Sequence, residues 1–446
     1  MIDPELAQRA IRAALERGAN EAECTIAEGE EFTASVRMRA LETLKDAGSR
    51  GAGLRVLIGQ QVGSSYTSDL SSEGIRKLVE SALEIAAISS EDPHAGLPEA
   101  SDLGALAGDL QLYSEDVRGI DTERRIALAL EAEDAALAAD ARITNSEGAS
   151  FDAYTGERLF ANSRGFLGSY RTSSCSLSAT PVARQGDSME RDYWFSSART
   201  PAKLESAAFI GKKAAERALR RLGARKVATQ KVPVIFDPLN ARSLADHIFE
   251  AVEGDAIYRR ASFLAGRIGE RVAAENVTVV DDGTMPGLFG TSPFDDEGVA
   301  SRRTVVIDRG VLRSYLLNSY TARKLGMKTT GNAARGITGN ASVGHGNFFV
   351  GTGSRTPEEL IRGVRKGLYV TELIGSGVNI VNGDYSRGAA GIWIENGEFA
   401  YPVSEITIAS TLNQMLMSIE AANDLEFRSS LAAPTLLIGE MTVSGQ

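Results

Sequence analysis

Few side chains in this sequence could carry out catalysis. It holds three histidines, His94, His247 and His345, and two cysteines, Cys24 and Cys175. A catalytic zinc draws on His, Cys and carboxylate ligands with one position left open, and no two of these histidines lie within a helical turn, so an ordinary zinc site is not formed from them. The candidates concentrate in "SLADHIFEAVEGDAIYRRASF" (243–263), which has helical periodicity and runs into the acidic turn Glu253-Gly254-Asp255. Asp246 and Glu250 are four residues apart and share a helix face. With His247 they could accept a cation, although two acids ahead of a turn are also what a solvated helix face looks like. Asp295, Asp296 and Glu297 in "SPFDDEGVASRRT" could hold a hard cation, or be solvated or paired with Arg302 and Arg303.

Nucleophile and phosphate chemistry find less support. There is no G-x-S-x-G elbow, since "GTSPF" and "GSGVN" lack its pattern. "GAGLRVLIG" lacks the strand-loop-helix context of a dinucleotide loop, and "GTGSRTPEEL" lacks the Lys-Ser/Thr ending of a P-loop. In the latter, Thr356 reads as an N-cap with Pro357 and Glu359 in the first turn.

The elements that position these residues follow from periodicity. Asp3 and Pro4 open a helix that Gly18 closes, strands follow around a turn at Gly59 and Gln60, and residues 71–89 return to a 3.6 period. A long Pro/Gly/acid connection carries His94. The Ala-rich stretch 121–142 reads as a helix, as does 202–222, with strands between them. A charged, turn-prone stretch at 223–233 then precedes the apolar strand "KVPVIFDP". The second half is richer in glycine and hairpins, with turns at 308–310 and at Asn396-Gly397, a favoured type I′ pair. Mixed hairpins and helices without regular alternation give an α+β fold, divided into a mixed helix and antiparallel-sheet domain, 1–228, and a hairpin-rich domain, 229–446.

Bulk properties exclude several classes. The 446 residues carry a net charge of −11 and a pI near 5.1, against direct binding to nucleic acid. The densest basic run, "RALRRLGARK" (217–226), is expected on the solvent face near a helix C-terminus, where positive charge suits the dipole. Two distant cysteines indicate no disulfide framework and a reducing compartment. The start "MIDPELAQRAIRAALERGAN" has no signal-peptide pattern, and no apolar run reaches the ~18 residues a membrane span needs. A cytoplasmic protein without membrane contact is expected.

"SPFDDEGVASRRTVVIDRGVLRSYLLNSYTARKLGMKTTGNAARG" (292–336), "GIWIENGEFAYPVSEITIASTLNQML" (391–416) and "RGAGLRVLIGQQVGSSYTSDLSSEGIRKLVESALEIA" (50–86) resemble the TldD/PmbA family in its PmbA, or TldE, branch, known as modulators of DNA gyrase. The resemblance covers nearly the whole chain. It implies a helix that in the TldD branch carries H-E-x-x-x-H ahead of the Glu-Gly-Asp turn, with a ligand cysteine near the C-terminus. The corresponding positions here are Ala245, Asp246 and Glu250, and neither cysteine lies near the C-terminus. The resemblance therefore implies no metal in this chain and zinc or a similar divalent metal in a TldD-type partner. Together they would form a heterodimeric metalloprotease acting on unfolded or extended peptides, such as a microcin leader or an antitoxin; a homodimer is an option for the isolated chain. The glycine-rich segment 329–353 is the candidate substrate-cavity loop, with His345 and Asn347 as its residues of interest and "NFFV" as a strand that could pair with a peptide. The alternatives are an independently active metallopeptidase with unconventional ligands and a non-enzymatic gyrase regulator.

Overall fold

Alternating apolar residues along the first long strand give it one greasy face and one polar face. In the computed structural model, which describes residues 2–445, that strand is β1 (Glu21–Arg37), and Cys24, Ile26, Phe32, Ala34 and Val36 all point to the same buried side. It lies inside an antiparallel sheet with β2 (Ala40–Ile58), β3 (Gln61–Thr67), β4 (Ile143–Asn162), β5 (Leu167–Gln185) and β6 (Ser188–Arg191), in the order β3-β2-β1-β4-β5-β6, and β7 (Trp194–Ala198) also pairs with β5. Helices cover only the greasy face. α1 (Pro4–Glu16) and α2 (Ser72–Ile88) pack over one end, and α4 (Thr122–Leu137) and α5 (Ala207–Leu219), preceded by the single turn α3 (Asp116–Gly119), pack over the other. Asp3, Ser71, Asp121 and Ser206 each accept a backbone N–H at the helix starts, which meets donors the helix itself cannot.

The second half builds two sheets around one core. β8 (Gln230–Phe236), β15 (Lys366–Ile374), β16 (Val378–Asn379), β17 (Asp384–Glu395), β18 (Glu398–Thr411) and β21 (Leu436–Ser444) run in the order β15-β8-β21-β18-β17-β16, with β19 (Glu420–Ala421) on β21. The other sheet has the order β11-β10-β9-β14-β20, from β9 (Val279–Asp282), β10 (Arg303–Asp308), β11 (Val311–Leu312), β14 (Asn347–Val350) and β20 (Leu431–Ala432). α6 (Pro238–Val252) sends Leu244, Ala245, Ile248 and Val252 into the core these sheets share, and is followed at once by α7 (Gly254–Tyr258). Further on lie α8 (Ser319–Leu325) and α9 (Pro357–Arg362), the latter opened by a capping box between Thr356 and Glu359. The β17–β18 hairpin turns at Asn396 and Gly397, both with positive φ. Nearly all strand pairs are antiparallel, and the fold is α+β. No helix among the described residues is long and apolar enough to cross a membrane.

The two halves are joined by polar contacts on the uncovered face of the first sheet. The hairpin of β12 (Ala333–Ala334) and β13 (Ser342–Val343) lays its tip there. Arg335 pairs with Glu23 of β1, Arg55 of β2 reaches Glu23 at 3.0 Å and Asn340 Oδ1 at 2.9 Å, and Arg158 of β4 reaches the Arg335 carbonyl at 3.1 Å and Asp296 at 2.9 Å. Burial works to raise the Glu23 pKa, but the two guanidiniums outweigh it and hold the carboxyl below its ordinary value.

A second junction corrects the expectation for the basic run at 217–226. Arg217 is buried, not solvated, and bridges Asp192 at 3.2 Å and Asp237 at 3.4 Å, while Arg221 pairs with Glu190 and Glu372. The last turn of α5 lies over the seam between the halves, where carboxylates from both sides compensate these charges.

Gly53 sets how closely the hairpin seats. A Cβ at this position would lie 1.4 Å from the Ile337 carbonyl oxygen, whereas one at Gly48 would meet nothing nearer than 3.9 Å. Gly53→Ala is therefore expected to unseat the hairpin and cost at least ~1–3 kcal/mol as overpacking, read as a lower urea midpoint. Gly48→Ala, on the same strand, is expected to be neutral or slightly stabilising.

Candidate functional site

α6 is a regular helix from its Asp237 cap to Val252, so side chains five apart diverge by ~140°. Ala245 is fully buried in the core while Glu250 is 49% exposed. The two positions that the family resemblance marks for histidine thus face opposite environments. Asp246, between them, is half-buried, and burial first, then the Glu250 charge, raises its pKa, with His247, His345 and Arg242 opposing. His247 Nδ1 lies 3.4 Å from Glu250 Oε2, its Nε2 is buried without a partner, and its ring meets Tyr385 edge-on.

These residues do not fit a catalytic divalent metal. Ala245 offers no donor atom, and among the described residues no three His, Cys, Asp or Glu side chains come together as a metal-holding group. Cys24 and Cys175 are buried in the first half, with thiols pushed up to about 12 by burial. A perturbed group that sequence reasoning missed is Glu253, the C-cap of α6. Burial, with Asp255 and Glu250 adding repulsion, pushes it up to about 7. The signal was present in the three acids crowded at positions 250, 253 and 255.

A cavity of about 350 Å³ opens between the first sheet and the second half. Tyr170 of β5 and Arg199 border it on one side, and Asp281, Asp295, Asn332 and His345 on the other. Arg199 ties the two sides, donating to the carbonyls of Ser173, Leu288 and Phe289 at 3.1 Å each. Much of the wall comes from the glycine-rich segment, through Gly331, Gly344 and Gly346. His345 Nδ1 donates to the Gly346 carbonyl at 2.8 Å, and the ring packs edge-on against Phe249 of α6 at 4.8 Å. Asp281 accepts from Asn332 Nδ2 and Gly346 N, both at 2.7 Å, and burial pushes it up to about 6. The cavity therefore offers a guanidinium, carboxyls near neutrality and glycine backbone in one space.

Two expectations for this segment are corrected. Asn347 is fully buried: Nδ2 donates to the Asp282 carbonyl at 2.8 Å and to Thr291 Oγ1 at 2.9 Å, and Oδ1 accepts from Gly290 N at 2.9 Å. It fastens Gly290 and Thr291 of the cavity wall from behind, both amide hydrogens are used, and its side chain does not border the cavity. "NFFV" is β14, which pairs with β9 on one edge and β20 on the other, so its backbone is already engaged.

The acid cluster is neither solvated nor paired with Arg302 and Arg303. Asp295 and Glu297 are buried, and Asp296 pairs with Arg158. Asp295 accepts from the backbone N of Glu297, Val299 and Ala333 at 2.9 Å each, and Glu297 from Ser319 N at 2.9 Å. Burial first, then the Glu297 charge, pushes Asp295 up to about 8. A carboxyl whose folded pKa lies above its unfolded one stabilises fully below the unfolded value and loses that contribution as pH climbs through the folded value. Stability is thus expected to fall as pH climbs from about 4 toward about 8. Asp295→Asn should lower stability overall yet flatten that slope in urea titrations run at several pH values.

Comparison with known proteins agrees with this architecture. Family models match at residues 22–86 (PmbA/TldA metallopeptidase domain 1), 115–222 (central domain) and 229–445 (C-terminal domain). The chain is 38% identical over 440 residues to the metalloprotease PmbA homologue of Haemophilus influenzae, covering 98% of this chain and 94% of that one. It is 37% identical over 446 residues to metalloprotease PmbA of Escherichia coli O157:H7, covering 99% and 97%. A candidate modulator of DNA gyrase from Bacteroides thetaiotaomicron superposes with a TM-score of 0.92 at 29% identity, over 99% of this chain and 98% of that one. Matched along its length by all three domain models, the chain belongs to the PmbA/TldD metallopeptidase family.

Proposed function

We propose that this chain is the metal-free subunit of a cytoplasmic two-subunit peptidase, acting with a TldD-type partner that carries the divalent metal, on unfolded or extended peptides of the microcin-leader or antitoxin kind. The observation that carries the reading is the geometry of α6. Its motif positions hold a buried alanine, which has no donor atom, and a glutamate turned ~140° away from it. The contribution of such a subunit is to position substrate and exclude water, and the cavity between residues 1–228 and 229–446, with His345 and Arg199 at its walls, is where we place that role.

A partner surface is available. Residues 40–51 of β2 pair with β1 alone, because β3 joins only from Ala52 onward. Met38, Leu41 and Leu44 are about half exposed on this hairpin. An unpaired edge with apolar side chains is what a second chain can extend, within an obligate interface that commonly buries more than ~2,000 Å².

Peptide cleavage is expected only when the purified chain is mixed with a TldD-type subunit, with a 1:1 complex visible by size-exclusion chromatography and multi-angle scattering. Asp246→Ala here should leave that cleavage unchanged. Failure to form the complex, or loss of cleavage with the complex intact in Asp246→Ala, would overturn the proposal. Writing the motif back is expected not to suffice: Ala245→His, Asp246→Glu and Glu250→His combined should stay inactive alone, because the 245 side chain points into the core. Chelator-sensitive hydrolysis by that triple variant would show a third ligand already in place.

A further inference from the structure

A separate cavity of about 240 Å³ lies where the end of α5, the start of α6 and the segment 424–433 meet. Arg220 borders it, and the adjacent pair Nε and Nη2 of its guanidinium is shut off from solvent without any hydrogen-bond partner. Those two nitrogens form the side-on fork that grips a carboxylate or phosphate with two parallel bonds. Unmet donors on a buried cation are costly, and here the cost is compounded by a like charge, since burial and then Arg217 both disfavour the charged form of Arg220.

Asp192 and Asp237 act on Arg220 through their charge, but no carboxylate accepts a hydrogen bond from its Nε or Nη2. The carboxylates around the cavity are committed elsewhere: Asp237 to Arg217 at 3.4 Å and to Asn240, Asp424 to Thr435 N and Oγ1 at 2.9 and 2.7 Å, and Glu426 to Arg428 at 2.9 Å. Arg242 borders the same space and forms no salt bridge among the described residues. Trp194 and Tyr369 add aromatic walls. We infer that this cavity is a binding site for an oxyanion, a carboxylate or phosphate group, which the Arg220 fork turns to grip and Arg242 attracts. The inference stands on this cavity alone and does not depend on the subunit role proposed above.

The test is calorimetric titration and thermal unfolding of the full chain at constant ionic strength, with inorganic phosphate, trialanine and C-terminally amidated trialanine as probes. Saturable binding is expected for phosphate or for free trialanine, and the amidated form should not bind. Phosphate alone binding identifies a free-anion site; trialanine binding identifies a site for a peptide's terminal carboxylate. Arg220→Met should fold normally, because it removes unmet donors, and weaken binding at least tenfold, with Arg242→Gln giving a smaller loss. If Arg220→Met does not fold, the Arg242→Gln loss decides the matter. Absence of saturable binding by every probe, or binding unchanged in the variants, would show that the cavity holds only water and would overturn the inference.

Discussion

The Glu23 carboxylate, buried between the guanidiniums of Arg335 and Arg55, is the interaction on which the rest of this structure depends. An ion pair so deeply buried earns little net stability against a hydrophobic substitute, yet removing one member strands the others at a cost of ~3–5 kcal/mol. Its value is therefore geometric. It fixes the β12–β13 hairpin on the polar face of the first sheet, and that seat gives the cavity its wall from 331 to 346. The glycine at 53 admits the hairpin backbone at a distance no side chain permits. Charge selects the seat and the missing Cβ sets its depth.

What the sequence disclosed was local. N-caps at Asp3 and Thr356, the type I′ turn at Asn396-Gly397 and the alternation along β1 depend on neighbours a few residues away, and each is found where its chemistry pointed. The α+β class follows from the same short-range signals. What it concealed was long-range pairing. Arg217 reads as a surface charge because its compensating acids lie 25 and 20 residues off and in different elements. Asp295 and Glu297 read as a solvated loop because their partners are backbone N–H groups, which no residue type announces. Asn347 stands in a glycine-rich segment, and nothing in its surroundings along the chain separates an amide that meets a ligand from one that pins Thr291 and Gly290.

The two sides of the α6 helix answer to different constraints. Leu244, Ala245, Ile248 and Val252 are held by packing, and the turn after them is held by Gly254, where a Cβ would come within 2.4 Å of Thr321 Oγ1. These constraints act on the core side of the helix. Asp246, His247 and Glu250 lie beside that core stripe, half-buried to exposed, where packing constrains the residue type less. Glu253, pushed up to about 7, stays at the junction between the two sides.

The hairpin clasp also bears on how the chain is made. Glu23 and Arg335 are separated by 312 residues, and synthesis proceeds at about 5–20 residues per second. Glu23 thus emerges about 15–60 seconds before the arginine that completes the sheet's polar face, and the finished first sheet, whose strand β7 ends at Ala198, about 7–27 seconds before it. Through that interval Glu23 has only Arg55 beside it, and the glycine strip at Gly53 lies open. The helices on the opposite face belong to the same early part of the chain, so the greasy side can close while the ribosome is still working. The face left waiting is the charged one, which water tolerates.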